Sequence, residues 1–147
     1  VGDIHVSSSE LKGVNVPETI IPNIIDEIPI LSVAAIFAEG TTIIKNASEL
    51  KVKESDRLNA ITDGLSKLKI SHQLFDDGLS IEGCGGQIDT SETINSFDDH
   101  RIAMSFLVAG ARSKNGIIVR DCKNIETSFP NFTMLMNNLG MSIDEKD

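Results

Sequence analysis

Two stretches of this chain, residues 28–38 and 102–111, read as helices without a polar face. A helix that is apolar all round belongs inside a domain, so other elements must wrap both runs. The two runs also stand in equivalent places. A shift of the chain on itself by about 74 residues pairs Asp26-Glu27 with His100-Arg101 and lays the first apolar run on the second. The same shift pairs the strand-like Thr42-Ile43-Ile44-Lys45-Asn46 with Gly116-Ile117-Ile118-Val119-Arg120, and Leu58, Ile61 and Leu65 with Phe132, Leu135 and Leu139. Matched element order at a fixed period marks a duplicated unit.

Each copy reads strand, buried helix, strand, exposed helix, strand. The first opens mid-strand at Gly2-Asp3-Ile4-His5-Val6 and adds a hairpin of residues 71–75 and 79–82 about an Asp77-Gly78 turn. Gly83-Cys84-Gly85-Gly86 begins the joint, giving units of roughly 1–84 and 85–147. In the second copy Ser128-Phe129-Pro130 starts the last helix, with Pro in its first turn, and Gly140 caps its end. Residues 142–144 make a final short strand, so the second copy lacks a hairpin strand. The expected architecture is one partial α/β domain with buried helices.

The charges make a pattern of their own. The net charge of −9 and the absence of Tyr and Trp disfavour a nucleic-acid or anionic-membrane surface. No apolar run reads as long enough to span a membrane, and no basic leader is visible. Cys84 and Cys122 lack metal-ligand spacing and read as reduced thiols of a cytoplasmic protein. Against this acidic background Lys51, Lys53, Arg57 and Arg101 stand out. Lys53 and Arg57 fall at or near the start of an amphipathic helix with apolar residues at 58, 61, 65 and 68. His100-Arg101 follows the capping pair Asp98-Asp99. A cation is disfavoured at the positive end of a helix dipole unless an anion binds there. The alternative is a solvated helix start. A third helix start, Asp26-Glu27-Ile28-Pro29, carries carboxylates, which ordinary capping explains. If the fold gathers the three starts, the site binds an anion and moves protons beside it.

Five motifs resemble the C-terminal part of the 5-enolpyruvylshikimate-3-phosphate synthases (3-phosphoshikimate 1-carboxyvinyltransferases). They are residues 26–31 (DEIPIL), 38–42 (AEGTT), 50–58 (LKVKESDRL), 99–105 (DHRIAMS) and 127–130 (TSFP). The resemblance implies a two-lobed enzyme, roughly three times this length, whose lobes are inside-out α/β barrels of three βαβαββ units. This chain would hold about two of one lobe's three units, and the N-terminal lobe would be its partner. The implied reaction moves the enolpyruvyl group of phosphoenolpyruvate to the 5-hydroxyl of shikimate 3-phosphate and releases phosphate, without cofactor or metal. By resemblance, Asp26 contacts the shikimate hydroxyls and takes the 5-hydroxyl proton. Glu54 exchanges a proton with the enolpyruvyl carbon, and Lys53 lies at the ring and the reacting centre. Arg57 and Arg101 clamp the phosphoenolpyruvate carboxylate, with His100 beside them. Two positions depart from the pattern: Thr127 replaces a phosphate-contacting lysine, as in the branch called class II, and Glu49 replaces an asparagine. The UDP-N-acetylglucosamine enolpyruvyltransferases share fold and transferred group but typically have Asp-Leu-Arg in place of Asp99-His100-Arg101. A half-lobe that only binds or structures is the non-catalytic alternative.

Overall fold

The computed structural model describes residues 2–145. Strand β1 (Glu39–Ile44) follows helix α2 (Ile28–Ile36) directly, and helix α3 (Arg57–Lys67) leads into the hairpin β2 (His72–Phe75) and β3 (Gly78–Cys84). The sheet order is β1-β3-β2, antiparallel throughout, with Glu39 opposite Cys84 and Ile44 opposite Leu79. On the other edge of β1 the chain at residues 11–16 runs parallel. Glu39 N donates to Leu11 O at 2.9 Å, Gly13 N to Glu39 O at 2.8 Å, and Val16 N to Ile43 O at 2.9 Å. In the second half, β4 (Thr93–Asn95) pairs in parallel with β5 (Ile118–Arg120), and helix α4 (His100–Gly110) fills the crossover. Each half therefore contains a parallel pair bridged by an apolar helix, the α/β arrangement expected.

Both apolar helices lie in the core, although neither is sealed on every face. Ile28, Val33, Ala35 and Ile36 of α2 and Ile102, Ala103, Phe106 and Ala109 of α4 are buried, while Ile30 keeps 41% of its surface. Helix α3 adds Leu58, Ile61 and Leu65, each at most 1% exposed. Burying such a side chain stabilises by roughly 1.5–3 kcal/mol. Gly64 lets α3 approach α4, because a Cβ there would meet the Phe106 ring.

Several expectations need correction. Residues 2–6 form no strand, and Ile4 and Val6 are 89% and 83% exposed; without a paired neighbour their apolar side chains have nothing to pack against. Phe75 pairs with Gly78, so the hairpin loop is Asp76-Asp77. Phe129 and Pro130 join two helices instead of starting one. Helix α5 (Ile125–Ser128) ends before them, and α6 (Phe132–Asn138) starts after Asn131, whose left-handed φ of 66° turns the chain. Residues 142–144 are irregular, and Ile143 is held by the Asn137 side chain through its N–H (2.7 Å) and carbonyl (3.0 Å). Glu18–Ile36, taken as one run of 19 residues, does have the length and composition to cross a membrane. It is broken, however, into two 3₁₀ turns (Glu18–Ile20 and Ile25–Glu27) and two helices, α1 (Ile21–Ile24) and α2. Its isoleucines at 21, 25, 28 and 36 fill the core. The outer ends of the two expected units, Val1, Lys146 and Asp147, lie outside the described residues.

Candidate active site

Three helix starts converge. Asp26 sits in the 3₁₀ turn Ile25–Glu27 that runs into α2, Arg57 is the first residue of α3, and His100 and Arg101 open α4. Lys53 lies before α3, at the end of the 3₁₀ stretch Ser48–Val52, rather than in its first turn. The N-cap of α3 is Asp56, whose carboxylate accepts from Asn59 N at 3.1 Å. It satisfies one of the free N–H groups at the helix start.

Arg57 is the centre of the cluster and its side chain is fully buried. Nε donates to Asp99 Oδ2 at 2.7 Å, Nη1 to Asp26 Oδ1 at 2.9 Å, and Nη2 to Glu54 Oε2 at 2.6 Å and Asp99 Oδ1 at 3.4 Å. Three carboxylates thus offset the cation that opens α3. The anions that the helix start calls for are side chains of the chain itself. Asp99 is equally buried, and its Oδ1 also accepts from the backbone N–H of Arg101 at 2.9 Å and of Ile102 at 3.4 Å. Ser55 Oγ donates to its Oδ2 at 3.1 Å.

The other cations meet at Asp26. Lys53 Nζ lies 3.6 Å from Asp26 Oδ1 and 2.5 Å from Glu49 Oε1. Arg101 Nη1 donates to the Asp26 carbonyl at 3.0 Å and lies 3.5 Å from Glu27 Oε1, and its Nη2 lies 3.8 Å from Asp26 Oδ2. The guanidinium groups of Arg57 and Arg101 therefore reach one carboxylate from two sides. Glu54 also lines a cleft of about 460 Å³, together with Asp98, His100, Asn124, Thr127 and Ser128. Thr127, the position that departs from the resembled pattern, thus faces the same cleft as Glu54 and His100.

The charges answer one another. Desolvation pushes the Asp26 carboxyl upward, but Arg101, Lys53 and Arg57 outweigh it and hold the group below the ordinary carboxylate value. Asp99 follows the same logic: burial raises it, while the Arg57 hydrogen bond and charge, with two backbone N–H groups, bring it down further. Burial disfavours the Arg57 cation, and Asp99, with Glu54 and Asp26, more than restores it. The Glu49 hydrogen bond, against some desolvation, raises Lys53. Among the described residues no group of three or more His, Cys, Asp or Glu side chains is placed to hold a metal ion.

Of the six residues named from the sequence, Asp26, Lys53, Glu54, Arg57 and Arg101 are joined by the ion pairs above, and His100 lines the cleft beside Glu54. Sequence reading had missed Asp99 as an ion partner and Ser55 as its support. A helix needs one cap, and the doubled Asp98-Asp99 was the available signal.

The fold and cluster define a mixed α/β domain with a charged site where three helices begin. The family model of EPSP synthase (3-phosphoshikimate 1-carboxyvinyltransferase) matches residues 1–136, and the chain belongs to that family. A 3-phosphoshikimate 1-carboxyvinyltransferase of Coxiella burnetii is 47% identical over 141 residues, 96% of this chain and 32% of that protein. Another, of Legionella pneumophila, is 45% identical over 145 residues, 99% of this chain and 33% of that protein. The solved EPSP synthase of Acinetobacter baumannii superimposes with a TM-score of 0.90 at 42% identity, covering 94% of this chain and 32% of that one. The chain therefore spans about a third of the length of the relatives it matches.

Proposed function

We propose that this segment supplies one wall of a site that transfers the enolpyruvyl group of phosphoenolpyruvate to the 5-hydroxyl of shikimate 3-phosphate with release of phosphate. The observation that carries the reading is the meeting of Arg57 and Arg101 on the Asp26 carboxylate, beside Glu54 and Lys53. Two guanidinium groups converging on one carboxylate are the arrangement that would hold a substrate carboxylate. Glu54, 52% exposed at the cleft, is the group for proton exchange with the enolpyruvyl carbon. Asp26 takes the hydroxyl proton, and His100 orients the clamp. Three nearby cations hold Asp26 below the ordinary carboxylate value and so make it a weak base. Anionic substrates that draw those cations away strengthen it.

The halves 1–84 and 85–147 are read as two copies of a βαβαββ unit. A parallel strand pair with an apolar helix in its crossover supports this in each half. Relatives about three times as long support a facing wall supplied by another lobe, so the 147-residue chain alone is expected to turn over nothing. The test uses the full-length protein that carries this segment. Glu54→Gln keeps size and hydrogen bonding but cannot cycle a proton, so kcat falls by about 10²–10⁴ with modest KM changes. Arg101→Lys removes the fork and raises the phosphoenolpyruvate KM by about ten- to hundredfold, leaving shikimate 3-phosphate binding near its starting value. The reverse pattern would exchange the two roles, and a full-length protein that transfers no enolpyruvyl group would end the reading.

A further inference from the structure

We infer that Asp99 is the positioning residue of the Arg57 guanidinium, turning its Nη1/Nη2 edge toward the carboxylate of an anionic substrate; this rests on the enolpyruvyl-transfer reading above. A guanidinium offers two hydrogen-bonding edges to planar acceptors. Asp99 occupies the inner one side-on, with Nε to Oδ2 at 2.7 Å and Nη2 to Oδ1 at 3.4 Å. The outer edge meets Asp26 and Glu54, whose side chains are 40% and 52% exposed, whereas Asp99 has no exposed surface. Substrate can therefore compete for the outer edge alone.

Asp99 is itself fixed by three further donors. Ser55 Oγ bonds Oδ2 at 3.1 Å, and the N–H groups of Arg101 and Ile102 bond Oδ1 at 2.9 and 3.4 Å. One carboxylate thus ties the first side chain of α3 to the backbone that carries Arg101, and it sets the two arginines relative to each other. An ordinary cap needs only Oδ1. The pairing of Oδ2 with Arg57 and Ser55 is what capping leaves unexplained.

The test is steady-state kinetics on the full-length protein carrying this segment. Asp99→Asn keeps a capping oxygen but turns an amide NH₂ toward the Arg57 Nε–H. The phosphoenolpyruvate KM is expected to rise about tenfold, with the shikimate 3-phosphate KM within about twofold. If Asp99 acts through Arg57, the same substitution in an Arg57→Lys background changes the phosphoenolpyruvate KM by less than about twofold. Equal shifts in both backgrounds, or a comparable rise for both substrates, overturn the inference. Should Asp99→Asn fail to fold by circular dichroism, Ser55→Ala removes one bond to Oδ2. It is expected to raise the phosphoenolpyruvate KM about threefold with Arg57 present and not at all with Lys there. No rise with Arg57 present, or an equal rise in both backgrounds, overturns the inference. A parent protein without transfer overturns the function reading and this inference with it. A parent that transfers, with additive variants, overturns the inference alone.

Discussion

Arg57 and Arg101 enter one cluster from two helix starts, yet they are held by opposite means. Arg57 is sealed, with contacts of 2.6–2.9 Å to three carboxylates. Arg101 keeps 35% of its side-chain surface, and its ion contacts are 3.5 and 3.8 Å. A buried pair fixes geometry at a high desolvation cost, whereas an exposed cation costs little and can move. The two arginines therefore differ in freedom: Arg57 is a fixed reference set into the core, and Arg101 is a half-exposed arm with room to move.

The largest expected effect tests the fixed side. Arg57→Ala would leave the buried Asp99 charge without its counter-ion, so urea denaturation of this chain should lose about 3–5 kcal/mol. A loss under about 1 kcal/mol would mean the pair is not the anchor described, and the contrast with Arg101 would collapse.

Acid should act on the same pair more gradually. The folded-state value of Asp99 lies below its usual 3.8, so the unfolded chain takes up protons first as pH drops. The stability this carboxylate contributes is complete above 3.8 and is lost as pH falls from there through its lower folded-state value. Asp26 shifts in the same direction and loses its contribution in the same sense. Denaturation midpoints followed from pH 6 downward should fall less in Asp99→Asn than in the parent. Parallel curves would place the acid sensitivity elsewhere.

The same contrast explains what sequence could tell. The buried helices were legible because they lack a polar face, and α3 because its apolar residues recur at helical spacing. The hairpin was legible from its turn residues, with the loop one residue earlier than expected, and β1 from its apolar run, although it spans Glu39–Ile44 where the strand was expected at 42–46. The arginines and carboxylates were legible as charges in places where a helix disfavours them. Their pairing was not, because Arg57 and Asp99 are 42 residues apart and only the fold brings them together. The second half read less well for a physical reason. In α6 only Phe132 is buried, while Leu135 and the following Leu139 are 39% and 78% exposed, so the positions matched to Leu58, Ile61 and Leu65 carry the pattern without the packing. The strand expected at residues 2–6 fails likewise, for alternation cannot supply a pairing partner.

Gly64 sharpens the comparison from outside the cluster, since it sets the approach of the two helices that carry the arginines. Gly64→Ala improves helix propensity by roughly 1 kcal/mol but drives a methyl group into the Phe106 ring, which costs about 1–3 kcal/mol. A net loss of about 0–2 kcal/mol is expected in denaturation of this chain, and trimming Phe106 to Leu in the same protein should recover part of it. A clear gain in stability would mean that α3 and α4 can part freely, and that Arg57 is less fixed than its burial implies.

The smallest effect belongs to Arg101. Two ion contacts and a hydrogen bond to the Asp26 carbonyl would suggest a stabilising residue if contacts were merely counted. Geometry argues otherwise, because Glu27 and Asp26 keep 56% and 40% of their side-chain surface, and water replaces the cation readily. Arg101→Ala should change the stability of this chain by no more than about 0.5 kcal/mol, far below Arg57→Ala. Raising salt from 0.05 to 0.5 M should shrink even that difference, since exposed charges are screened while the sealed Arg57–Asp99 pair is not. A loss of about 2 kcal/mol at Arg101, undiminished by salt, would place it in the core framework beside Arg57 and remove the distinction between a fixed arm and a moving one.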